Sequence, residues 1–90
     1  MEKFNKDTIQ TFDKVLVRFS DGFKWEPKLF GRWCVDENYI PYAKVVEESL
    51  TMNYQVVPFN EETKHLAYTK EKAPDKYNFW DEQTLFGNSI

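Results

Sequence analysis

The sequence predicts a mainly β fold, either a small SH3-like, partly open barrel or a strongly curved antiparallel sheet. Several short segments alternate apolar with polar residues, which is the period of a strand that buries one face. The chain also holds 8 Phe, 5 Tyr and 3 Trp among its 90 residues. Each buried ring removes on the order of 150–250 Å² from water. The aromatic content therefore either gives a small domain its core or lines a binding surface.

A single domain accounts for this length, because a chain of 90 residues has no room for a second core. We expect residues 12–90 to form that domain. Residues 1–11 are polar and weakly periodic, which predicts a flexible arm.

The first hairpin is predicted from the segment that follows this arm. Alternating residues indicate strands over 12–19 and 23–29, and the Ser-Asp-Gly sequence at 20–22 is a typical turn. Pro27 cannot donate to a strand ladder, so we expect the second strand at a sheet edge or at a bulge.

The register of this hairpin decides which side chains share a face. A two-residue loop sets Arg18 opposite Trp25 and mixes charged with apolar side chains on both faces. A three-residue loop, with Gly22 at positive φ, pairs Val17 with Trp25 and keeps one face apolar, so we favour it. The other face then points to solvent and carries cations. These are Arg18, Lys24 and Lys28, extended by Lys14 and Arg32.

Positive charge is concentrated on this hairpin, although the whole chain has a net charge of −3. Residues 14–33 contain five basic and two acidic side chains, so they carry +3 and the remainder carries −6. The basic face is either a solvated strand face or the site of an anion, such as a nucleotide phosphate. The acidic total argues against a general nucleic-acid binder and against an anionic-membrane binder.

The rest of the chain predicts shorter elements. Residues 31–42 are aromatic and irregular, with a turn at 36–38. Asn60 is a typical N-cap of a helical turn near 60–65, because two acidic residues follow it. The remaining predictions are strands over 43–46, 54–59 and 65–69, connections over 47–51 and 70–75, and a C-terminal helical turn within 75–86.

Cysteine usage and targeting patterns predict a reducing, cytoplasmic location. The single Cys34 excludes an internal disulfide and lies in an apolar run typical of a buried, inert thiol. The sequence shows no signal-like start and no apolar run long enough to span a membrane.

Catalytic and cofactor chemistry have little support in the sequence. His65 is the only imidazole, and no spacing pairs it with Cys34 or a serine as base and nucleophile. One His and one Cys do not complete a typical metal shell, and three scattered glycines make no phosphate loop. We therefore predict a protein that is not an enzyme and uses no metal or cofactor. His65 either contacts a ligand or closes a short helical turn.

Two motifs carry a resemblance to a known group of proteins. The first is F-D-K-V-L-V-R at residues 12–18, followed by Trp25 and a Leu-Phe pair at 29–30. The second is V-P-F-N-E-E-T-K-H-L at 57–66, followed by Y-N-F-W at 77–80. Over most of its length, the chain resembles a group of short uncharacterised proteins of gut bacteria and their phages.

That resemblance implies a compact SH3-like or related β domain and no established activity. One departure matters, because members of the group carry Gly-Thr after the Leu where this chain has Ala-Tyr-Thr at residues 67–69. If the Gly allows close approach of a ligand, that role is altered here. If it only makes a turn, little changes.

Two functions from different classes follow. The first is a phage or mobile-element accessory protein with an anti-defence role, which captures an anionic, nucleotide-like ligand on the basic, aromatic-flanked hairpin face. The second is an SH3-like module that blocks or recruits a host protein and takes no small-molecule ligand. A second copy of the chain could complete the site, whereas membrane and nucleic-acid partners are not expected. The candidate site residues are Arg18, Lys24, Trp25, Lys28, Arg32, Trp33, Tyr42 and His65.

One double substitution separates these functions. Exchange of both Arg18 and Lys24 for Glu is expected to leave the fold intact, because both side chains are predicted to face solvent. The same exchange is expected to abolish capture of an anion, because it reverses the charge of the hairpin face.

Overall fold

The computed structural model describes residues 3–81, without the side chains of residues 48–50. Five strands and three short 3-10 turns make up the secondary structure of the described residues. The strands are β1 (Lys14–Arg18), β2 (Glu26–Val35), β3 (Pro41–Val45), β4 (Glu48–Asn53) and β5 (Gln55–Pro58). The turns are η1 (Lys6–Thr8), η2 (Lys64–Leu66) and η3 (Asp75–Tyr77).

All five strands belong to one antiparallel sheet in the order β4-β3-β2-β1-β5. β4 and β5 lie at opposite edges of this sheet, yet Tyr54 alone separates them in the chain. Because one residue extends a chain by at most about 3.6 Å, the sheet must curl until its edges approach. The predicted strongly curved antiparallel sheet is confirmed, and it is consistent with a small SH3-like barrel that stays open. No helix among the described residues has the length and apolar character needed to cross a membrane.

β1 lies between β2 and β5 and is buried on both faces. Val15 and Val17 point to one face and belong to a first hydrophobic cluster, whereas Leu16 points to the other face and belongs to a second. The first cluster also contains Ile9, Phe30, Ala43, Val45, Val56 and Phe79. The second cluster also contains Trp25, Val57, Leu66, Ala73 and Tyr77.

The predicted register of the first hairpin is wrong. Val17 pairs with Glu26 rather than with Trp25, which is the offset of the alternative, two-residue register. The β1–β2 pairing stops there, and residues 19–25 connect the two strands. Val17 and Trp25 consequently lie in different clusters on opposite faces of the sheet. The physical reason is that β1 has no solvent face, whereas the alternation argument assumes one.

Gly22 differs from the prediction, and Gly31 has a structural role that the sequence analysis did not predict. Gly22 does not have a positive φ, so the hairpin connection does not depend on its special conformation. Gly31 lies where the β2–β3 register shifts, between Phe30 and Arg32. A Cβ at position 31 would lie 2.6 Å from the carbonyl oxygen of Lys44. The two strands therefore approach closely because residue 31 has no side chain.

Residues 3–11, predicted as a flexible arm, pack against the sheet. Ile9 is buried in the first cluster. The ring of Phe4 lies 5.3 Å from the ring of Tyr77, and the backbone N–H of Phe4 donates to the carbonyl of Lys76 at 2.9 Å. The segment thus contributes to the core of the domain rather than standing apart from it.

Several predicted elements occur with different bounds. Residues 31–35, predicted to be irregular, complete β2, and most of the predicted connection over 47–51 belongs to β4. The strand predicted over 65–69 is reduced to one bridge, between Ala67 and Trp25. Tertiary pairing, rather than local alternation, decides these bounds.

The helical turns follow the sequence more closely. The Oδ1 of Asn60 accepts from the backbone N–H groups of Glu62 at 2.8 Å and Thr63 at 3.2 Å, so this residue caps a turn as predicted. The predicted C-terminal turn is present as η3. The part of that prediction over residues 82–86 lies outside the described residues.

Candidate functional site

The predicted basic face does not form, because Arg18 is buried and only 4% exposed. Its guanidinium lies 4.2 Å from the centre of the Trp25 ring. Its Nε donates to Oε1 of Gln55 at 2.6 Å, and its Nη1 donates to two backbone carbonyls at 3.2 Å each. Burial lowers the pKa of Arg18 from its ordinary value, against the opposing effect of Asp21. These intramolecular contacts engage the guanidinium, so Arg18 is not the exposed cation that the prediction requires.

The aromatic residues predicted to flank that face have separate environments. Trp25 is fully buried in the second cluster. Trp33 packs on the first cluster, with its ring 5.5 Å from that of Phe79. Tyr42 is buried on β3, with its ring 5.8 Å from that of Tyr54. None of the three lines the groove described below, although each ring packs against a ring of its lining.

Two predicted cations do lie together. Lys24 and Lys28 line a cleft of about 230 Å³ that Arg18 also borders. Glu26 lines the same cleft and lies 3.7 Å from the Nζ of Lys28. Lys28 also lines a larger cleft of about 540 Å³, together with Lys14. Each cleft therefore combines lysine side chains with a carboxylate, which is Glu26 in the smaller cleft and Glu47 in the larger one.

The remaining predicted site residues lie elsewhere. Arg32 is exposed on β2, where it pairs with Lys44 of β3. His65 is exposed within η2, in the last turn. No group of three His, Cys, Asp or Glu side chains suited to a metal ion occurs among residues 3–81. The predicted residues thus do not form one site.

A different surface, which we call the aromatic groove, brings together residues far apart in the sequence. It is open and has a volume of about 380 Å³. Its walls come from the residue after β1, the β2–β3 turn, the β4–β5 junction and the segment after η3. Its lining includes Phe19, Asp36, Pro41, Tyr54, Trp80 and Asp81.

Tyr54 stands at the centre of a row of rings, of which Tyr54 and Phe19 line the groove. Its ring centre lies 5.6 Å from that of Phe19 and 5.8 Å from that of Tyr42. Phe19 continues the row to Phe23, at 5.6 Å. Phe19 is 44% exposed and Phe23 is 53% exposed. The row therefore presents aromatic surface to solvent between the first hairpin and β3.

Asp36 organises the β2–β3 turn and joins it to this row. Its Oδ1 accepts from the backbone N–H groups of Asn38 at 2.8 Å and Ile40 at 3.0 Å, and its Oδ2 accepts from the hydroxyl of Tyr54 at 2.8 Å. These bonds, that from Ile40 above all, lower the pKa of Asp36. Burial, followed by the bond to Asp36, raises the pKa of Tyr54 to about 12. The carboxyl is therefore ionised and the phenol neutral at neutral pH.

The wall of the groove that Phe79, Trp80 and Asp81 form is anchored in the core. Phe79 is buried in the first cluster, and its ring lies 5.1 Å from that of Trp80. Asp81 follows directly, and its Oδ2 accepts from the side-chain amide of Asn78 at 2.7 Å. A ring and a carboxylate thus stand on a fixed wall, facing the same groove as Tyr54.

The β2–β3 turn also displays a ring on a strained backbone. Tyr39 has a φ of 64° and is 82% exposed. The left-handed conformation costs a residue other than glycine about 1–2 kcal/mol. Phe12 and Tyr68 share this feature, with φ values of 75° and 64° and 66% exposure each. Since Tyr39 lies in the chain between two groove residues, Asp36 and Ile40, it is a candidate functional residue.

The groove is not apparent from the sequence because its walls come from four separate segments. One local pattern was available: an Asp followed two residues later by Asn and then by Pro41 is typical of a turn closed by the Asp36 side chain. No local pattern shows that Tyr54 and Trp80 line one surface.

Three comparisons with known proteins were made for the whole chain. Family models, curated proteins and solved structures gave no match.

Proposed function

We propose that this chain is a non-enzymatic interaction module whose aromatic groove binds an extended segment of another protein. The observation that supports this most directly is the groove itself, where Phe19, Tyr54 and Trp80 line an open space together with Pro41. Aromatic anchors dominate the energetics of many protein interfaces, because a rigid ring contributes a large contact area at low entropy cost.

The exposure of these rings also supports an interaction role. A domain of this size has a thin margin of stability and gains most from burying its aromatic residues. Yet Phe19 and Phe23 remain 44% and 53% exposed, in edge contact with each other. Contiguous exposed apolar surface is typical of a binding site.

Two matched variants and a random peptide library test the proposal. Phe19→Ala removes a groove ring, and Leu29→Ala removes a side chain of the separate 540 Å³ cleft. The two native side chains are 44% and 45% exposed, so each truncation removes an apolar side chain of similar exposure. Peptides are selected on the native protein, and their binding site is mapped by amide chemical shifts.

We expect the shifts to concentrate on groove residues. Phe19→Ala should weaken binding of the selected peptides by about tenfold or more, because it removes a central anchor. Leu29→Ala should leave the affinity unchanged. Failure to enrich any peptide, or shifts confined to the edge strand β4, would contradict the proposal.

Capture of an anionic, nucleotide-like ligand is the second candidate function, and one observation favours it. Lys24 and Lys28 line the same 230 Å³ cleft, as a phosphate-binding site on the hairpin requires. Against it, Glu26 lines that cleft, and Arg18 is engaged in the core. We therefore rank anion capture below protein binding.

Calorimetric titration with adenosine diphosphate and with inorganic phosphate tests this second function. If it is correct, both probes bind the native protein, and the double variant Lys24→Gln and Lys28→Gln loses about tenfold in affinity. Arg32→Gln, a change of an exposed cation outside the cleft, serves as the control. Absence of binding at millimolar probe concentration would remove anion capture from consideration.

The biological setting remains part of the proposal. A phage or mobile-element origin, an anti-defence role and a location in the host cytoplasm are supported by the sequence resemblance alone. In that setting, the partner of the groove is a host protein that the module blocks or recruits.

A further inference from the structure

We infer that the segment bound by the aromatic groove carries a basic side chain, arginine or lysine, whose cation binds between ring faces and the carboxylates of the groove. This inference rests on the proposed function, because it names the chemistry of the partner at the same site. The charge of the groove, its rings and one pre-oriented carboxylate each favour a cation.

The groove is acidic. Asp36 and Asp81 line it, and its lining within the described residues includes no lysine or arginine. The chain as a whole has a net charge of −3. An acidic segment would therefore be repelled both during its approach to the protein and once it is bound in the groove. A basic segment is attracted at both stages.

The rings add a second attraction for a cation. Aromatic faces attract ammonium and guanidinium groups, more strongly where water is excluded. The protein already makes this contact internally: Arg18 lies 4.2 Å from the centre of the Trp25 ring, and Lys14 lies 4.2 Å from that of Phe59. Since Tyr54 also lines the groove, a bound arginine can stack in the same way beside an acidic group.

Asp36 is held in place before any ligand binds. The backbone N–H groups of Asn38 and Ile40 and the hydroxyl of Tyr54 donate to its carboxylate, as described above. A carboxylate has about four acceptor sites, so it can still accept a further hydrogen bond from a cation. Because the donors already fix its orientation, binding orders few additional groups.

Two synthetic peptide libraries test this inference. They share random apolar-rich flanks and differ at one central position, which is arginine in the first and glutamine in the second. Binding of both is measured for the native protein and for Asp36→Asn, Asp81→Asn and Glu37→Gln. In Asp36→Asn, the amide Oδ1 can still accept the two backbone hydrogen bonds that close the turn. Glu37→Gln removes one negative charge from the same turn at an exposed residue outside the groove lining, so it is the matched control.

We expect the arginine library to bind the native protein about tenfold more tightly than the glutamine library. Each Asn variant should reduce this preference roughly threefold, and Glu37→Gln should leave it unchanged. The preference should also fall as salt is raised. Melting temperatures establish that the variants fold; if Asp36→Asn is destabilised, Asp81→Asn and the salt dependence provide the test.

The two hypotheses fail in distinguishable ways. Equal binding of both libraries, each still weakened by Phe19→Ala, would overturn the preference for a cation and leave the proposed function standing. A preference for arginine that Asp36→Asn and Asp81→Asn do not change would also overturn this inference. Failure of both libraries to bind would overturn the proposed function together with it.

Discussion

The guanidinium of Arg18 stacks 4.2 Å from the centre of the Trp25 ring, on the face of the sheet opposite Val17. A cation predicted to attract a ligand thus connects β1 to β5 through Gln55. A buried arginine is tolerated where hydrogen bonds satisfy its donors, and removing it leaves its partners unsatisfied.

Substitution of Arg18 should therefore destabilise the fold. We expect Arg18→Ala to lower the free energy of unfolding by about 3 kcal/mol, because Gln55 and two carbonyls lose a donor. The free energy of unfolding of Arg18→Lys should lie between those of the native protein and Arg18→Ala, because the lysine ammonium lacks the planar fork of the guanidinium. The exposed neighbour Lys24 is the control, and Lys24→Ala should stay within about 0.5 kcal/mol of the native value. Urea unfolding measures all three.

The same contacts change the outcome expected for the charge-reversed hairpin. A glutamate at position 18 would place an unpaired carboxylate in the interior, so Arg18→Glu is now expected to impair folding. Native-like unfolding of Arg18→Ala or Arg18→Glu would contradict the structural role assigned to Arg18.

Gly31 and Gly22 should respond oppositely to the same change. Gly31→Ala places a Cβ 2.6 Å from the backbone oxygen of Lys44, and overpacking of this kind costs about 1–3 kcal/mol. At Gly22, nothing lies within 4 Å of the added atom, and φ is not positive. Gly22→Ala should therefore be neutral or stabilise by about 0.4–1 kcal/mol. Thermal unfolding compares the two; equal effects would contradict the close approach of β2 and β3.

Tyr54 should make stability depend on alkaline pH. Its pKa is raised to about 12, whereas an unfolded tyrosine titrates near about 10. A raised pKa means that its contribution is complete below about pH 10 and is lost as pH rises toward about 12. Urea unfolding should show this loss in the native protein and less of it in Tyr54→Phe. Parallel curves for the two proteins would show that neither burial nor the bond to Asp36 raises the pKa of Tyr54 in the folded protein.

Tyr39 should show a conflict between stability and binding. Tyr39→Gly relieves the strain of its φ of 64° and is expected to raise stability by about 1 kcal/mol. The same change removes an exposed ring from the turn that supplies Asp36, so selected peptides should bind several-fold more weakly. Tyr68→Gly, with the same φ but in a segment that supplies no residue of the groove lining, is the control. Unchanged affinity in Tyr39→Gly would assign Tyr39 no role in binding.

The sequence predicts the fold class well because strand signals are local. The alternation around Val15 and Val17 identifies β1, and the acids after Asn60 identify the capped turn. The predicted register of the first hairpin is wrong for a reason that no local sequence pattern shows. The segment that carries Leu66 and Tyr77 covers the second face of β1. Once both faces are dry, a charged residue such as Arg18 need not face water.

The candidate site is less predictable than the fold. Cations adjacent on one hairpin form an obvious pattern in the sequence, whereas the groove depends on the curl of the sheet. That curl brings residue 54 beside residues 19 and 36. The rings were visible in the composition, but their division between core and surface follows only from the three-dimensional packing, where Trp25 is enclosed and Phe19 is not.

Tyr54 both joins the two edge strands and lines the groove. A peptide that binds Tyr54 therefore stabilises the whole domain, because it restrains both edge strands, β4 and β5, at the residue that joins them. We expect occupancy to slow hydrogen exchange along the full length of β4 and β5, well beyond the atoms in contact. The module would then signal a bound partner by becoming rigid, without any change of shape.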